Sequence, residues 1–116
     1  MFLAPQSNAV TATYSTTGFV ALGVAETTQL GAKGVAVTYN NTMPMTVSAF
    51  VYIYLTNSAG QTIYIQLSRN SYSTGQNITS FFGLVGVTPG TYTASLFATT
   101  NSLVPVSPVT TIKVVL

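Results

Sequence analysis

The sequence predicts an all-β fold: a single-domain two-sheet β-sandwich of about eight strands, either jelly-roll or Ig-like. Short segments in which apolar and polar side chains alternate recur at even spacing along the chain. Gly, Pro, Asn and Ser separate these segments, and no stretch has the period of an amphipathic helix. The length of 116 residues suits one domain with one core.

Eight segments have the side-chain alternation of a strand. They are residues 9–15, 19–24, 34–39, 46–56, 62–67, 78–82, 91–98 and 110–116. Residues 1–17 of the 1–116 domain are interpreted as an N-terminal arm that could exchange between subunits, because Thr16, Thr17 and Gly18 interrupt the pattern. Alternation also predicts the inward-facing residues. They are Val20, Leu22, Val24, Val35, Val37, Tyr39, Val51, Ile53, Leu55, Ile63, Ile65, Leu67, Ile78, Phe82, Tyr92, Ala94, Leu96, Ala98, Ile112, Val114 and Leu116.

The hairpin AFVYIYLTNSAGQTIYIQL, residues 49–67, is apolar on both faces. Directly opposed residues of an antiparallel pair share a face, so matching the aliphatic side chains places Leu55 opposite Ile63 and leaves residues 58–60 as the loop. Gly60 then occupies the loop position that requires a positive φ. The same register continues with Ile53 opposite Ile65 and Val51 opposite Leu67. It gathers the aromatic residues Phe50, Tyr52, Tyr54 and Tyr64 on the opposite face.

The segment GVTPGTYTASLFA resembles the tyrosine corner of Ig-like domains. Pro89 and Gly90 predict a turn, and Tyr92 opens the strand that follows. A buried tyrosine after an ordinary Pro-Gly turn is the alternative interpretation.

Charged residues make up only 3% of the chain. They are Lys33, Arg69, Lys113 and Glu26, and the sequence has no His and no Cys. Paired carboxylates, a Ser-His-Asp triad, a thiolate metal site and a disulfide framework therefore cannot be assembled within one chain. We expect a non-enzyme with no catalytic residue, cofactor, metal or small-molecule substrate. Because the three cations are scattered, we also expect no direct contact with nucleic acid.

No segment has the uniform apolar character of a membrane span, which needs about 20 residues. The start, MFLAPQSNAV, lacks the basic region and the long apolar run of a secretory signal. If Met1 is the native start, we expect a protein made without a signal peptide.

A surface with so little charge and so many tyrosines favours association. Tyr and Phe are enriched at buried interfaces, so the face formed by Phe50, Tyr52, Tyr54 and Tyr64 is predicted to be covered by another copy of the chain or a closely related subunit. The arm contributes a second predicted contact region. Its residues are Val10, Ala12 and Tyr14.

This charge-poor, cysteine-free composition rich in Thr, Ser and Tyr resembles that of β-sandwich proteins in the capsids of viruses of thermoacidophilic archaea and in the extracellular filaments of such archaea. The resemblance implies a self-assembling, acid-stable structural protein. The first expectation is a shell or capsid protein of a virion. The alternative is a subunit of a pilus- or thread-like cell-surface filament, joined by a donated strand. A third is a small adhesion or carbohydrate-binding module.

Two Asn-X-Thr triplets, NNT from Asn40 and NIT from Asn77, are candidate glycosylation sites. Both lie at predicted strand or turn boundaries. A protein that meets a glycosylation machinery could be modified at either.

Overall fold

The computed structural model describes residues 18–116, which form two antiparallel sheets without a helix. The predicted all-β, two-sheet fold is confirmed for this part of the chain. The predicted strand at residues 9–15 and the arm at residues 1–17 lie outside the described residues. The seven described strands are β1 (Phe19–Gln29), β2 (Ala32–Asn41), β3 (Val47–Thr56), β4 (Thr62–Tyr72), β5 (Asn77–Gly83), β6 (Thr91–Thr100) and β7 (Thr110–Val115).

The strands divide into a three-stranded sheet, in the order β1-β2-β5, and a four-stranded sheet, in the order β4-β3-β6-β7. Hairpins join β1 to β2 and β3 to β4. The chain passes from one sheet to the other between β2 and β3, between β4 and β5, and between β5 and β6. Each sheet therefore has one inner face, which meets the other sheet, and one outer face.

The core lies between the two inner faces and follows the predicted alternation on most strands. The predicted core residues that are buried are Val35, Val37, Tyr39, Val51, Ile53, Leu55, Phe82, Tyr92, Ala94, Leu96, Ala98 and Val114. Val24, Ile78, Ile112 and Leu116 are partly buried against them. The prediction is correct on these strands because their inward-facing positions are mainly apolar and follow the two-residue period of a strand.

Strand β1 contradicts the prediction that Val20 and Leu22 face the core. Their exposed fractions are 44% and 56%, whereas Phe19 is fully buried. An irregularity between Ala21 and Gly23 leaves Leu22 without a partner on β2. Phe19 is the inward residue at the start of β1, so its neighbour Val20 points outward. The bulge places Leu22 on the outside as well.

An aromatic cluster closes the end of the core where β1 begins. The ring of Phe19 lies 4.8 Å from that of Tyr72 and 6.4 Å from that of Tyr39. Both phenol hydroxyls are buried and have no hydrogen-bond partner among the described residues. Burial raises the pKa of Tyr39 and of Tyr72 above the ordinary value for tyrosine, because the charged phenolate would lose its hydration.

Asn41, at the end of β2, organises the connection to β3. Its buried amide nitrogen donates to the carbonyl oxygens of Met45 at 2.9 Å and Tyr72 at 3.0 Å, and its Oδ1 accepts from the backbone N–H of Met43 at 2.9 Å. The Asn41 side chain therefore satisfies three backbone groups that would otherwise need partners from a neighbouring strand.

Tyr92 occupies the start of β6 and donates a hydrogen bond from its hydroxyl to the carbonyl oxygen of Thr88, four residues earlier. The bond ties the strand to the Pro89-Gly90 turn that precedes it. The side chain is 9% exposed, as predicted for an inward-facing residue.

Candidate functional site: the outer face of the four-stranded sheet

The turn of the β3–β4 hairpin forms as the sequence predicts. The backbone N–H of Asn57 donates to the carbonyl oxygen of Gln61, that of Gly60 donates to Asn57, and Gly60 has a φ of 82°. The Oδ1 atom of Asn57 also accepts from the N–H groups of Ala59 and Gln61. Thr56 pairs with Thr62, so residues 58–60 are the loop.

The predicted register beyond this turn is wrong by one residue. After the Thr56–Thr62 pair, the next pair is Leu55 with Tyr64, so Ile63 is an extra residue that forms a bulge in β4. The pairing continues with Ile53 opposite Gln66 and Tyr54 opposite Ile65. Because the side-chain period is two, this single insertion turns the rest of β4 over.

The consequence is that the aliphatic side chains of β4 point outward. Ile63, Ile65 and Leu67 are 43%, 67% and 50% exposed and share the outer face with Tyr52 and its neighbours on β3. The outer face of this sheet therefore carries both kinds of apolar side chain, where the predicted register had separated them.

Tyr64, predicted on the outer face, lies on the inner one. Its hydroxyl is 2.7 Å from Gln66 Oε1 and 3.1 Å from the carbonyl oxygen of Gly83 on β5. Two further inward residues of β4 also reach the three-stranded sheet: Asn70 is hydrogen-bonded to Ser80, and Tyr72 is packed on Phe19. Polar side chains that bond across the gap make this register favourable, and aliphatic ones could not replace those bonds.

Four aromatic rings form a continuous row on the outer face, which we call the aromatic row: Phe50, Tyr52, Phe97 and Tyr54. Tyr52 and Phe97 are directly opposed on β3 and β6 and are stacked, with ring centroids 4.9 Å apart and planes 9° apart. Phe50 meets Tyr52 edge-on at 6.2 Å, and Tyr54 meets Phe97 edge-on at 6.2 Å. The rings therefore support one another across the strands.

The structure brings together three of the four predicted aromatic residues, Phe50, Tyr52 and Tyr54, and adds Phe97. The signal for Phe97 was present in the sequence, because it falls between the inward-facing Leu96 and Ala98. The predicted contact residues of the arm, Val10, Ala12 and Tyr14, lie outside the described residues.

The charge on this face is positive. Arg69 is paired with Phe50 across the strands and Lys113 with Thr93, and both are exposed.

The ion pair found among residues 18–116 lies away from this face, between Lys33 and Glu26 at 3.9 Å. Those two side chains bond Val115 at the end of β7: Glu26 accepts from its N–H at 2.9 Å and Lys33 donates to its carbonyl at 2.6 Å. They join the three-stranded sheet to the edge of the four-stranded one.

A shallow hollow lies beside the β3–β4 loop. It is lined by Thr56, Asn57, Ser58, Thr91, Tyr92, Thr93 and Lys113. The hydroxyl of Tyr92 is already bonded to Thr88, and the amide of Asn57 is bonded within the β3–β4 loop. Lys113 and the small hydroxyl side chains are therefore the groups left to meet a ligand.

Within the described residues, no three His, Cys, Asp or Glu side chains come close enough to hold a metal ion. The described part of the chain also contains no helix long and apolar enough to cross a membrane. Comparisons with known protein families, with curated proteins and with solved structures found no match to this chain.

Proposed function

We propose that the protein is a non-enzymatic structural subunit that assembles with copies of itself, or with a closely related subunit, through the outer face of the four-stranded sheet. The observation that carries the proposal is the aromatic row flanked by Ile63, Ile65 and Leu67, which are 43–67% exposed. The largest apolar patch on a typical monomer is about 300–600 Å² and is often functional.

Exposed apolar side chains also lie at loops of the three-stranded sheet. Leu30, in the β1–β2 turn, is fully exposed and has a φ of 51°, and Val85, after β5, is 75% exposed. A bulky residue with positive φ is held in a strained backbone conformation, and such strain is concentrated at functional positions. A stable interface needs about 800 Å² from each partner, so a contact through the outer face of the four-stranded sheet would also have to include polar residues around the apolar patch.

The geometry of the rings favours a protein partner over a sugar. A stacking platform needs aromatic rings with free faces. In the aromatic row, Tyr52 has Phe97 stacked on one face and Phe50 against it edge-on, and Phe97 is contacted by Tyr54 as well as by Tyr52. The two central rings therefore present mainly edges, which suit close packing against another subunit. The carbohydrate-binding alternative is correspondingly weaker.

We propose further that the sandwich is Ig-like. In such domains, the first, second and fifth strands share one sheet, and the third, sixth and seventh share the other. The orders β1-β2-β5 and β4-β3-β6-β7 support this assignment, and so does the hydrogen bond from Tyr92 to Thr88 at the turn before β6. Successive strands of a jelly roll more often alternate between sheets.

An Ig-like subunit favours the filament over the virion shell, because the extracellular filaments that the composition resembles use Ig-like subunits. Residues 1–17 are the proposed source of a donated strand, and β7, an edge strand of the four-stranded sheet, is the proposed acceptor. A shell of a virion is the alternative, and its subunits would be expected to meet through the same apolar face.

The scarcity of carboxylates suits an assembly exposed to acid. Acid unfolds proteins mainly by protonating carboxylates that are paired in the native state, and Glu26 is the only acidic side chain of the sequence. We expect the melting temperature to change by no more than about 5 °C between pH 7 and pH 2. A loss of structure at pH 3 would contradict acid stability without affecting the assembly proposal.

The assembly proposal is tested with two matched double variants. Ile65→Thr with Leu67→Thr removes apolar groups from the outer face of the four-stranded sheet, and Val20→Thr with Leu22→Thr removes equally exposed ones from β1. Light scattering and electron microscopy of the full chain are expected to show large assemblies for the wild type and the β1 variant, and monomers for the first variant. Filaments or closed shells in the images separate the two kinds of assembly. A wild type that stays monomeric at millimolar concentration would overturn the proposal.

A further inference from the structure

The two Asn-X-Thr triplets are brought together by the fold. Asn40 on β2 and Asn77 on β5 are directly opposed residues, and the amide nitrogen of Asn40 donates to Oδ1 of Asn77 at 2.6 Å. Both lie at the outer face of the three-stranded sheet, on the side of the molecule opposite the aromatic row. The two side-chain amides differ in the hydrogen bonds that they make.

Asn40 uses its amide nitrogen fully. Besides the bond to Asn77, Nδ2 donates to the carbonyl oxygen of Gly75 at 3.0 Å, so both amide hydrogens have acceptors. An N-linked sugar replaces one of these hydrogens and would need the space that an acceptor occupies. Modification of Asn40 in the folded protein would therefore break at least one bond between β2 and the turn before β5.

The rest of the Asn40 triplet is also engaged. Asn41 is fully buried and bonded to three backbone groups, and the hydroxyl of Thr42 donates to the carbonyl oxygen of Gly18 at 3.0 Å. A transferase that must contact the asparagine and the threonine of its acceptor would have to open the β2–β3 connection first.

Asn77 shows the opposite arrangement. It is exposed, it opens the edge strand β5, and it contributes only Oδ1 to the bond with Asn40. No hydrogen bond to its Nδ2 is found within residues 18–116, and because Oδ1 is held against Asn40, Nδ2 on the other branch of the amide faces away. The hydroxyl of Thr79 is exposed and bonded only to that of Thr38, at 2.6 Å.

From this geometry we infer that Asn77, and not Asn40, is an N-glycosylation site of the folded protein. The donor is a glycan linked through phosphate to a polyprenol. The bond from the anomeric carbon to the phosphate oxygen breaks, the polyprenyl phosphate or pyrophosphate leaves with the electron pair, and the anomeric carbon bonds to Nδ2, which loses a proton to a base of the transferase. The inference is independent of the proposed assembly, because the glycan would lie on the outer face that assembly does not use.

The test compares the folded and the heat-unfolded full chain as acceptors. Each is incubated with an oligosaccharyltransferase that accepts Asn-X-Thr and with its polyprenyl-linked donor, and glycopeptides are mapped by mass spectrometry. The unfolded chain is expected to carry glycan on both asparagines, and the folded chain on Asn77 alone. Thr79→Ala is expected to abolish modification of the folded chain, while Thr79→Ser, which keeps the hydroxyl, and Asn40→Gln are expected to retain it. Modification of folded protein at Asn40, or its absence at Asn77 while the unfolded chain is modified there, would overturn the inference.

Discussion

The two outer faces of the sandwich differ in how their side chains are satisfied. On the three-stranded sheet, two pairs of cross-strand neighbours are bonded to each other, Thr38 to Thr79 and Asn40 to Asn77, both at 2.6 Å, while Val20 and Leu22 are exposed on β1. On the four-stranded sheet, the aromatic row and the aliphatic side chains of β4 leave apolar area exposed. A polar, bonded face is stable against water, whereas an apolar face gains free energy when it is covered. The larger continuous apolar area lies on the four-stranded sheet, where the aromatic row meets three exposed aliphatic side chains, so that side is favoured for a partner.

The largest expected effect comes from two isoleucines that the predicted register placed together. Ile53 on β3 is fully buried and Ile65 on β4 is 67% exposed. Ile53→Ala is expected to lower the free energy of unfolding of the dissociated protein by about 2–5 kcal/mol, because it leaves a cavity. Ile65→Ala is expected to change it by no more than about 0.5 kcal/mol. Urea unfolding measures both changes in the free energy of unfolding. Equal losses for the two variants would mean that Ile65 lies in the core.

The next largest effect is expected on the free energy of unfolding at alkaline pH, and it arises from two tyrosines buried between the sheets. Burial raises the pKa of Tyr39 and Tyr72, so the folded protein keeps protons that the unfolded chain releases above its ordinary tyrosine pKa of about 10. The contribution is fully present below that pH and is lost as the pH rises through the folded pKa, by up to about 1.4 kcal/mol per pH unit for each phenol.

A double variant isolates this effect. Tyr39→Phe with Tyr72→Phe removes hydroxyls that have no partner in the described structure, so we expect little loss of stability at pH 7 and a weaker dependence of the unfolding free energy on pH between 9 and 12. An unchanged pH dependence would mean that other groups govern alkaline unfolding.

A smaller effect on the free energy of unfolding is expected from substitutions in the β3–β4 loop. Gly60 has a φ of 82°, and nothing lies near the position of an added Cβ. Gly60→Val is expected to lower the free energy of unfolding by about 1–3 kcal/mol, because a β-branched side chain resists positive φ. Gly60→Asn serves as the control, since Asn adopts this conformation more readily. If thermal unfolding of the two variants were identical, backbone strain would not be the cause.

The smallest effect is expected from deletion of Ile63, the bulge residue. Without it, Tyr64 still follows the Thr56–Thr62 pair and still lies opposite Leu55, so the faces of β4 are preserved. The free energy of unfolding is expected to change by no more than about 1 kcal/mol. In a hairpin without a bulge, the same deletion would exchange the two faces of β4. A large loss of unfolding free energy, measured in urea, would therefore mean that Ile63 is not a bulge residue.

Much of this fold follows from local signals in the sequence. Alternation identified β2, β3 and β6, and Gly60 identified the turn, because turn chemistry and side-chain period are properties of a few adjacent residues. The bulges at Leu22 and Ile63 could not be predicted in the same way. They depend on bonds to distant strands, such as Tyr64 to Gly83, and on the packing of Phe19 against Tyr72.

The candidate site was therefore predicted in part. Phe50, Tyr52 and Tyr54 face outward as expected, since β3 has no bulge before Leu55 and its inner face is aliphatic. Matching of aliphatic side chains predicts the wrong face for Tyr64, because it takes no account of the hydrogen bonds that the tyrosine hydroxyl makes to Gln66 and Gly83. The pairing of Asn40 with Asn77 requires the β2–β5 register, which the sequence does not encode locally.

Protection of the four-stranded sheet's outer face on assembly tests the central claim most directly. The chain has no cysteine, so Ile65→Cys and Val20→Cys each introduce a single thiol, at exposed positions on β4 and on β1. Thiol-labelling rates are compared between assembled and dissociated protein. We expect assembly to slow labelling of the Ile65→Cys variant at least about tenfold, because burial at an interface excludes solvent, and to leave that of the Val20→Cys variant within about twofold. Equal labelling of the Ile65→Cys variant in both states, in material that light scattering shows to be assembled, would contradict the central claim.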